Sequence, residues 1–163
     1  MNRALRCLAL VVFSSMALGL SCQGQFCDNN VDGGTYGFTL TIPAEFACTN
    51  VYPNSIAIAQ GRWFDATSQV GVSVLVTASD LENPGEDQGG YSVEELGEET
   101  NAHGITFQER KITLETQPRV YSYVAGTTLP NGNKLFITVL GRTDDGSMFL
   151  TLAAIVESVQ FTQ

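Results

Sequence analysis

The stretch that decides the fold is residues 119–156, RVYSYVAGTTLPNGNKLFITVLGRTDDGSMFLTLAAIV. Two turn signals divide it, Asn131-Gly132 and Asp144-Asp145-Gly146. Asn-Gly and Asp-Gly supply the positive φ that tight hairpin turns require. Leu135, Ile137 and Val139 alternate with Phe136, Thr138 and Leu140, and Met148, Leu150 and Leu152 alternate with Phe149, Thr151 and Ala153. A period of two sends successive side chains to opposite faces of a sheet. The reading is a C-terminal three-strand meander.

Upstream, the same period recurs. Tyr36, Phe38, Leu40 and Ile42 mark a first strand over 36–43, closed by Pro43, which cannot donate to a ladder. Residues 55–64 and 69–78 form a hairpin around Asp65-Ala66-Thr67-Ser68, the second arm carrying Val70, Val72, Val74 and Val76 on one side. Residues 93–103 read as the one clear helix. Ser92 and Glu95 have capping-box spacing, Tyr91 and Leu96 that of a hydrophobic staple, and Gly104 suits the C-terminal cap. Residues 105–114 read as a further strand or two short pieces, with a charged run, Gln108-Glu109-Arg110-Lys111, as on an exposed edge. The fold class is α+β: an antiparallel sheet of about six or seven strands with the 93–103 helix packed on it.

The N-terminus predicts export. Arg3 and Arg6 precede an apolar run over 8–20, then polar Gln23-Gly24-Gln25, the layout of a secretory signal too short to span a membrane. Gly19-Leu20-Ser21-Cys22 approximates a lipobox, which would place a lipid on Cys22, although the usual motif has Leu where Gly19 stands. Cleavage by ordinary signal peptidase, after Ser21 or after Gly24, is the alternative. The organisation expected is a signal over 1–21, a polar tether over 22–34 and a single α+β domain over 35–163. With Cys7 lost and Cys22 lipidated or lost, Cys27 and Cys48 remain, and an oxidising compartment predicts a disulfide between them.

Lys and Arg number 8 against 17 Asp and Glu, a net charge of −9. No basic cluster offers a nucleic-acid surface, and any membrane association is expected through an N-terminal lipid alone. The single histidine, His103, sits at the polar end of the expected helix as a cap, not beside a nucleophile. No Gly-x-Ser-x-Gly elbow, phosphate loop or dinucleotide fingerprint occurs, so no catalytic residue, cofactor or metal ligand is assigned. Asp28, Asn30, Asp32 and Gly33 match the opening of a calcium loop, but its twelfth position is Thr39 where a bidentate Glu is needed. Asp80, Glu82, Glu86 and Asp87 form a second acidic cluster without ordered spacing. Both read as solvated loops.

The order of these features resembles the PsbP-like superfamily, including small bacterial envelope lipoproteins of that fold. The resemblance rests on Tyr36-Gly37-Phe38-Thr39-Leu40-Thr41-Ile42-Pro43, then a hairpin and a Ser-capped helix, Tyr121-Ser122-Tyr123, and a terminal Val156-Glu157-Ser158-Val159. It departs where members often carry Trp shortly after the Pro: here Phe46 stands near that place and the only Trp is Trp63. The resemblance implies a sheet with helices packed on it and a binding or assembly role instead of catalysis. The function expected is therefore that of an exported, lipid-anchored cell-envelope protein, not an enzyme, with an envelope protein or a small apolar ligand as partner. The alternative is a secreted hydrolase using the 80–87 carboxylates. Tyr121, Tyr123, Phe136 and Phe149 are expected to share one sheet face, where a ligand groove or a covering element would lie.

Overall fold

The computed structural model describes residues 24–49, 56–79 and 90–162. The signal segment, Cys22 and the 80–87 acidic cluster lie outside these residues. The elements in chain order are β1 (Gly24–Phe26), β2 (Asn30–Asp32), β3 (Phe38–Thr41), β4 (Ala47–Cys48), β5 (Ala57–Asp65), β6 (Val70–Thr77), β7 (Tyr91–Thr100), β8 (Thr106–Leu114), β9 (Val120–Thr128), β10 (Lys134–Gly141), α1 (Ser147–Ser158) and β11 (Gln160–Phe161). Eight strands form one sheet in the order β1-β5-β6-β10-β9-β8-β7, with β4 also on β5, and β11-β3-β2 form a second. The large sheet is antiparallel except for β1, which runs parallel to β5. The α+β class stands, with one α-helix among the described residues, but that helix is not where the sequence placed it.

Two elements exchange roles. Residues 93–103 are strand and turn, not helix: Tyr91 to Thr100 pairs with β8 along its length, interrupted by a bulge between Glu95 and Gly97. The capping-box pattern loses because Val93, Leu96 and Thr100 make too narrow an apolar stripe to hold a helix carrying Gly97 inside it. Gly97 takes φ 111° at the bulge, a conformation open to glycine. Conversely, the third strand of the meander is α1. Met148, Leu152, Ile155 and Val156 are its buried residues, a helical spacing that coexists with the period-two pattern, while Leu150 is 70% exposed. Asp145 serves the helix start, its Oδ1 accepting from Ser147 N at 3.0 Å and Ser147 Oγ at 2.6 Å.

The expected tether over 22–34 enters the fold in its described part. Phe26 and Val31 are buried, and β1 and β2 pair with β5 and β3. Phe26 and Val31 give these short segments something to bury, which a solvated tether lacks. Cys27 and Cys48 are joined with Cα atoms 5.3 Å apart, tying the end of β1 to β4, two segments that both pair with β5.

The core lies between the inner face of the large sheet, α1 and the small sheet. Val72, Val74, Val76, Leu135, Ile137, Val139, Phe107 and Trp63 meet Met148, Leu152 and Ile155, with Phe38, Leu40 and Ile42 closing one side. Asn101, buried after β7, locks the helix end. Its Nδ2 donates to Val156 O and Val159 O, each at 2.9 Å, and its Oδ1 accepts from His103 N and Ile105 N. His103 thus belongs to the β7–β8 turn and caps no helix.

Candidate functional site

Cross-strand register fixes which side chains share the outer face, the one turned away from α1. One row runs Arg62, Ser73, Thr138, Val124, Arg110 and Glu95 from β5 to β7. The next runs Gln60, Leu75, Phe136, Gly126, Gln108 and Glu98. A groove of about 520 Å³ lies over these rows, lined by Phe136, Val124 and Gly126 among Thr106, Gln108, Arg110, Thr128, Lys134 and Glu95. Phe136 and Val124 are buried yet stand apart from the core cluster. Gly126 makes the floor possible: a Cβ there would fall 2.8 Å from the Phe136 ring. Farther along the same face, Phe64 and Leu140 are more than one-third exposed, and Leu140 packs over Gly71. Concave apolar floors ringed by a few polar groups are the usual form of binding sites.

The inner face carries a different cluster where the β10–α1 connection meets β8 and β9. Lys111 Nζ meets Asp144 Oδ2 at 2.5 Å and lies 5.7 and 5.6 Å from the centroids of Tyr121 and Tyr123. Tyr123 donates its hydroxyl to Asp144 Oδ1 at 2.7 Å, and its ring packs 5.7 Å from that of Phe149. Lys111 and then Tyr123 hold the Asp144 carboxyl below the usual carboxylate range. The same ion pair raises the Lys111 ammonium, and burial first, then Asp144, raises the Tyr123 phenol. Each polar group in this cluster is spent on a neighbour, so it fastens the β10–α1 connection to β8 and β9.

The four aromatics expected on one face are therefore divided. Tyr121, Tyr123 and Phe149 are with α1, and Phe136 is opposite. A two-residue turn at Asn131-Gly132 would set Phe136 across from Thr127 and bring the odd residues of β9 to its face. The observed loop closes Leu129 N on Asn133 O at 2.8 Å and sets Phe136 across from Gly126. One residue of register exchanges the faces.

The calcium-like residues fold as a strand pair. Asp32 Oδ1 accepts from Gly34 N, Asn30 Oδ1 from Thr41 Oγ1, and Thr39, the twelfth position, pairs with Asp32 across the ladder. Among the described residues, no three His, Cys, Asp or Glu side chains stand close enough to share a metal ion. Glu109, in β8 on the inner face, is a buried acid that no motif in the sequence marks. Burial and the neighbouring Glu99 raise its carboxyl, and its Oε1 has no hydrogen-bond partner among the described residues. Its signal in the sequence was parity: it alternates with Phe107 and Lys111.

Comparison with solved structures fits this architecture. The Ran-binding protein Mog1p of Saccharomyces cerevisiae superposes with a TM-score of 0.57 at 11% identity, covering 84% of this chain and 97% of that one. A Mog1 mutant gives 0.57 at 11% identity, covering 82% and 95%. Cyanobacterial PsbP (CyanoP) from Synechocystis sp. gives 0.55 at 15% identity, covering 93% and 99%. The chain has the Mog1/PsbP-like fold. The expected PsbP-like architecture is thus the observed one, reached despite the exchange of β7 and α1. No protein-family model and no curated protein sequence matches significantly. Among the described residues, no helix is long and apolar enough to cross a membrane.

Proposed function

We propose that this protein is a binding or assembly module of the cell envelope that works through the outer face of its large sheet. The observation that carries the reading is the groove over Phe136, Val124 and Gly126. It stands on the face opposite α1 and is lined by side chains from β7, β8, β9 and β10. A solved protein of the same fold is described as Ran-binding, which supports a protein partner as the object of the binding. The groups in the groove are Thr, Gln, Arg, Lys and Glu around an apolar floor, a lining suited to holding a partner's side chains. The proposal is therefore one of binding and assigns no catalytic step to the groove.

Export and a lipid on Cys22 complete the proposal, supported by the signal-like N-terminus and by the Cys27–Cys48 pairing. Metabolic lipid labelling of the wild type and Cys22→Ala tests the anchor: label on the wild type alone is expected, and an unlabelled wild type contradicts it. Gentle crosslinking of the tagged protein in its native cells, followed by purification, tests the binding. A defined partner should co-purify with the wild type and be lost with Thr138→Arg, which alters the outer face. Recovery unchanged by Thr138→Arg contradicts the face.

A further inference from the structure

We infer that the bilayer meets this domain at one corner of the large sheet, where β1 and β5 begin and β6 ends, with Ile56 set against the lipid headgroups. The inference rests on the lipid anchor proposed above and adds how that anchor orients the fold. Only Gln23 separates Cys22 from Gly24, the first residue of β1. Two residues of chain reach at most about 7 Å. The headgroup layer on one side of a bilayer is itself about 5–8 Å deep, so a lipid on Cys22 brings Gly24 out at the membrane surface. From Gly24 onward the chain is built into the sheet. Gly24 pairs with Ala59 and Phe26 with Gly61, and Phe26 is buried. Cys27 is bonded to Cys48, whose strand also pairs with β5. The anchor therefore holds the sheet itself.

The register fixes what else lies at that surface. β1 runs parallel to β5, so both begin at one end of the sheet, where antiparallel β6 ends. Gly24, Ala59 and Val76 stand in one row, and Ala57 and Thr77 pair beyond it. Ile56 and Ala78 come next, two to three residues past the row, about 7–10 Å along the strands. Ile56 is 53% exposed, more than any other large apolar side chain among the described residues except Leu150. It exchanges water for the boundary of headgroups and acyl chains when the anchor is seated, a favourable transfer. Charge does not drive the contact, because an anionic bilayer repels a chain of net charge −9. The short covalent arm imposes it, so the orientation is indifferent to salt. β7 lies six strand spacings from β1, about 29 Å, which carries the groove over β8, β9 and β10 clear of the anchor.

The test uses the mature protein purified from cells and placed in vesicles of phosphatidylethanolamine and phosphatidylglycerol. A fluorescent amino acid stands at Ala78 or, separately, at Ala66, and a nitroxide on the lipid headgroup is the quencher. Both sites are exposed and lie at opposite ends of β6. The strand between them spans about 26 Å, so quenching at Ala78 should exceed that at Ala66 at least about twofold, at low and at high salt. Ser79 and Thr67 replace them if either labelled form does not fold. Inserting about 20 Gly and Ser residues after Gln23, a coil of about 25 Å, should make the two sites equal. Mass spectrometry of the same sample reads the lipid, and an unmodified Cys22 removes the anchor and this inference together. With the lipid present, three results overturn the orientation alone and leave the anchor: equal quenching, stronger quenching at Ala66, or a preference for Ala78 that survives the insertion.

Discussion

Asn101 shows how much a single side chain can hold. Its amide satisfies two carbonyls at the end of α1 and two N–H groups of the β7–β8 turn, all in a buried site. Asn101→Ala removes these bonds and leaves buried backbone groups unpaired, at a cost of about 2–4 kcal/mol. Urea unfolding measures it, and a loss under about 1 kcal/mol would show that water replaces the amide. Glu109 sets a pH dependence. Its folded-state carboxyl is raised by burial and by Glu99, so the folded form holds a proton that the unfolded chain has released. Stability therefore falls as pH rises from the ordinary carboxylate range through the raised value. Glu109→Gln should flatten that slope on the alkaline side of the ordinary carboxylate range, and an unchanged slope contradicts this origin. Asp144 has the opposite sign. Its carboxyl is lowered, so its contribution is present above the ordinary carboxylate range and fades as pH falls through the lowered value.

At the scale of elements, β-strands with buried faces on regular parity were legible from sequence, and the ends of the chain's longer patterns were not. The hairpin of β5 and β6 and the pair β9 and β10 follow from alternation and their turns, whereas β8, whose charged run reads as an exposed edge, lies inside the sheet between β9 and β7. Residues 147–158 satisfy both periods, and burial of Met148, Leu152, Ile155 and Val156 against the sheet decides for the helix. Residues 91–100 carry cap and staple spacing, yet the ladder with β8 satisfies their backbone without the apolar face that a helix would need. Local signals compete with tertiary pairing there, and pairing wins. The groove is legible only in part: alternation marks Phe136 for a sheet face, but its neighbours depend on a hairpin register that a one-residue difference in the loop reverses. The cysteine pairing was legible because elimination left two candidates. Cys27→Ser with Cys48→Ser releases a loop of 21 residues and should cost about 3 kcal/mol, read as a lower midpoint in denaturant. A midpoint unmoved by the double substitution would show that β1 and β4 are held to β5 by their ladders alone.

At the scale of the whole molecule, the two faces of one sheet have different duties. The inner face is packed against α1 and the small sheet and closed at one end by Lys111, Tyr123 and Asp144. The outer face carries a groove and exposed Phe64 and Leu140. Such a division fits a binding module: packing fixes the sheet from one side so that the other can present a shaped surface. The fold alone does not supply the function, which has to be argued from the site. The most direct test is to place a photocrosslinking amino acid at Thr138 on the outer face and, separately, at Leu150 on the exposed side of α1, and to irradiate native cells. A single defined adduct from Thr138 and none from Leu150 is the predicted result. The same adduct from Leu150, with none from Thr138 in a folded protein, would contradict the assignment of the outer sheet face as the binding surface.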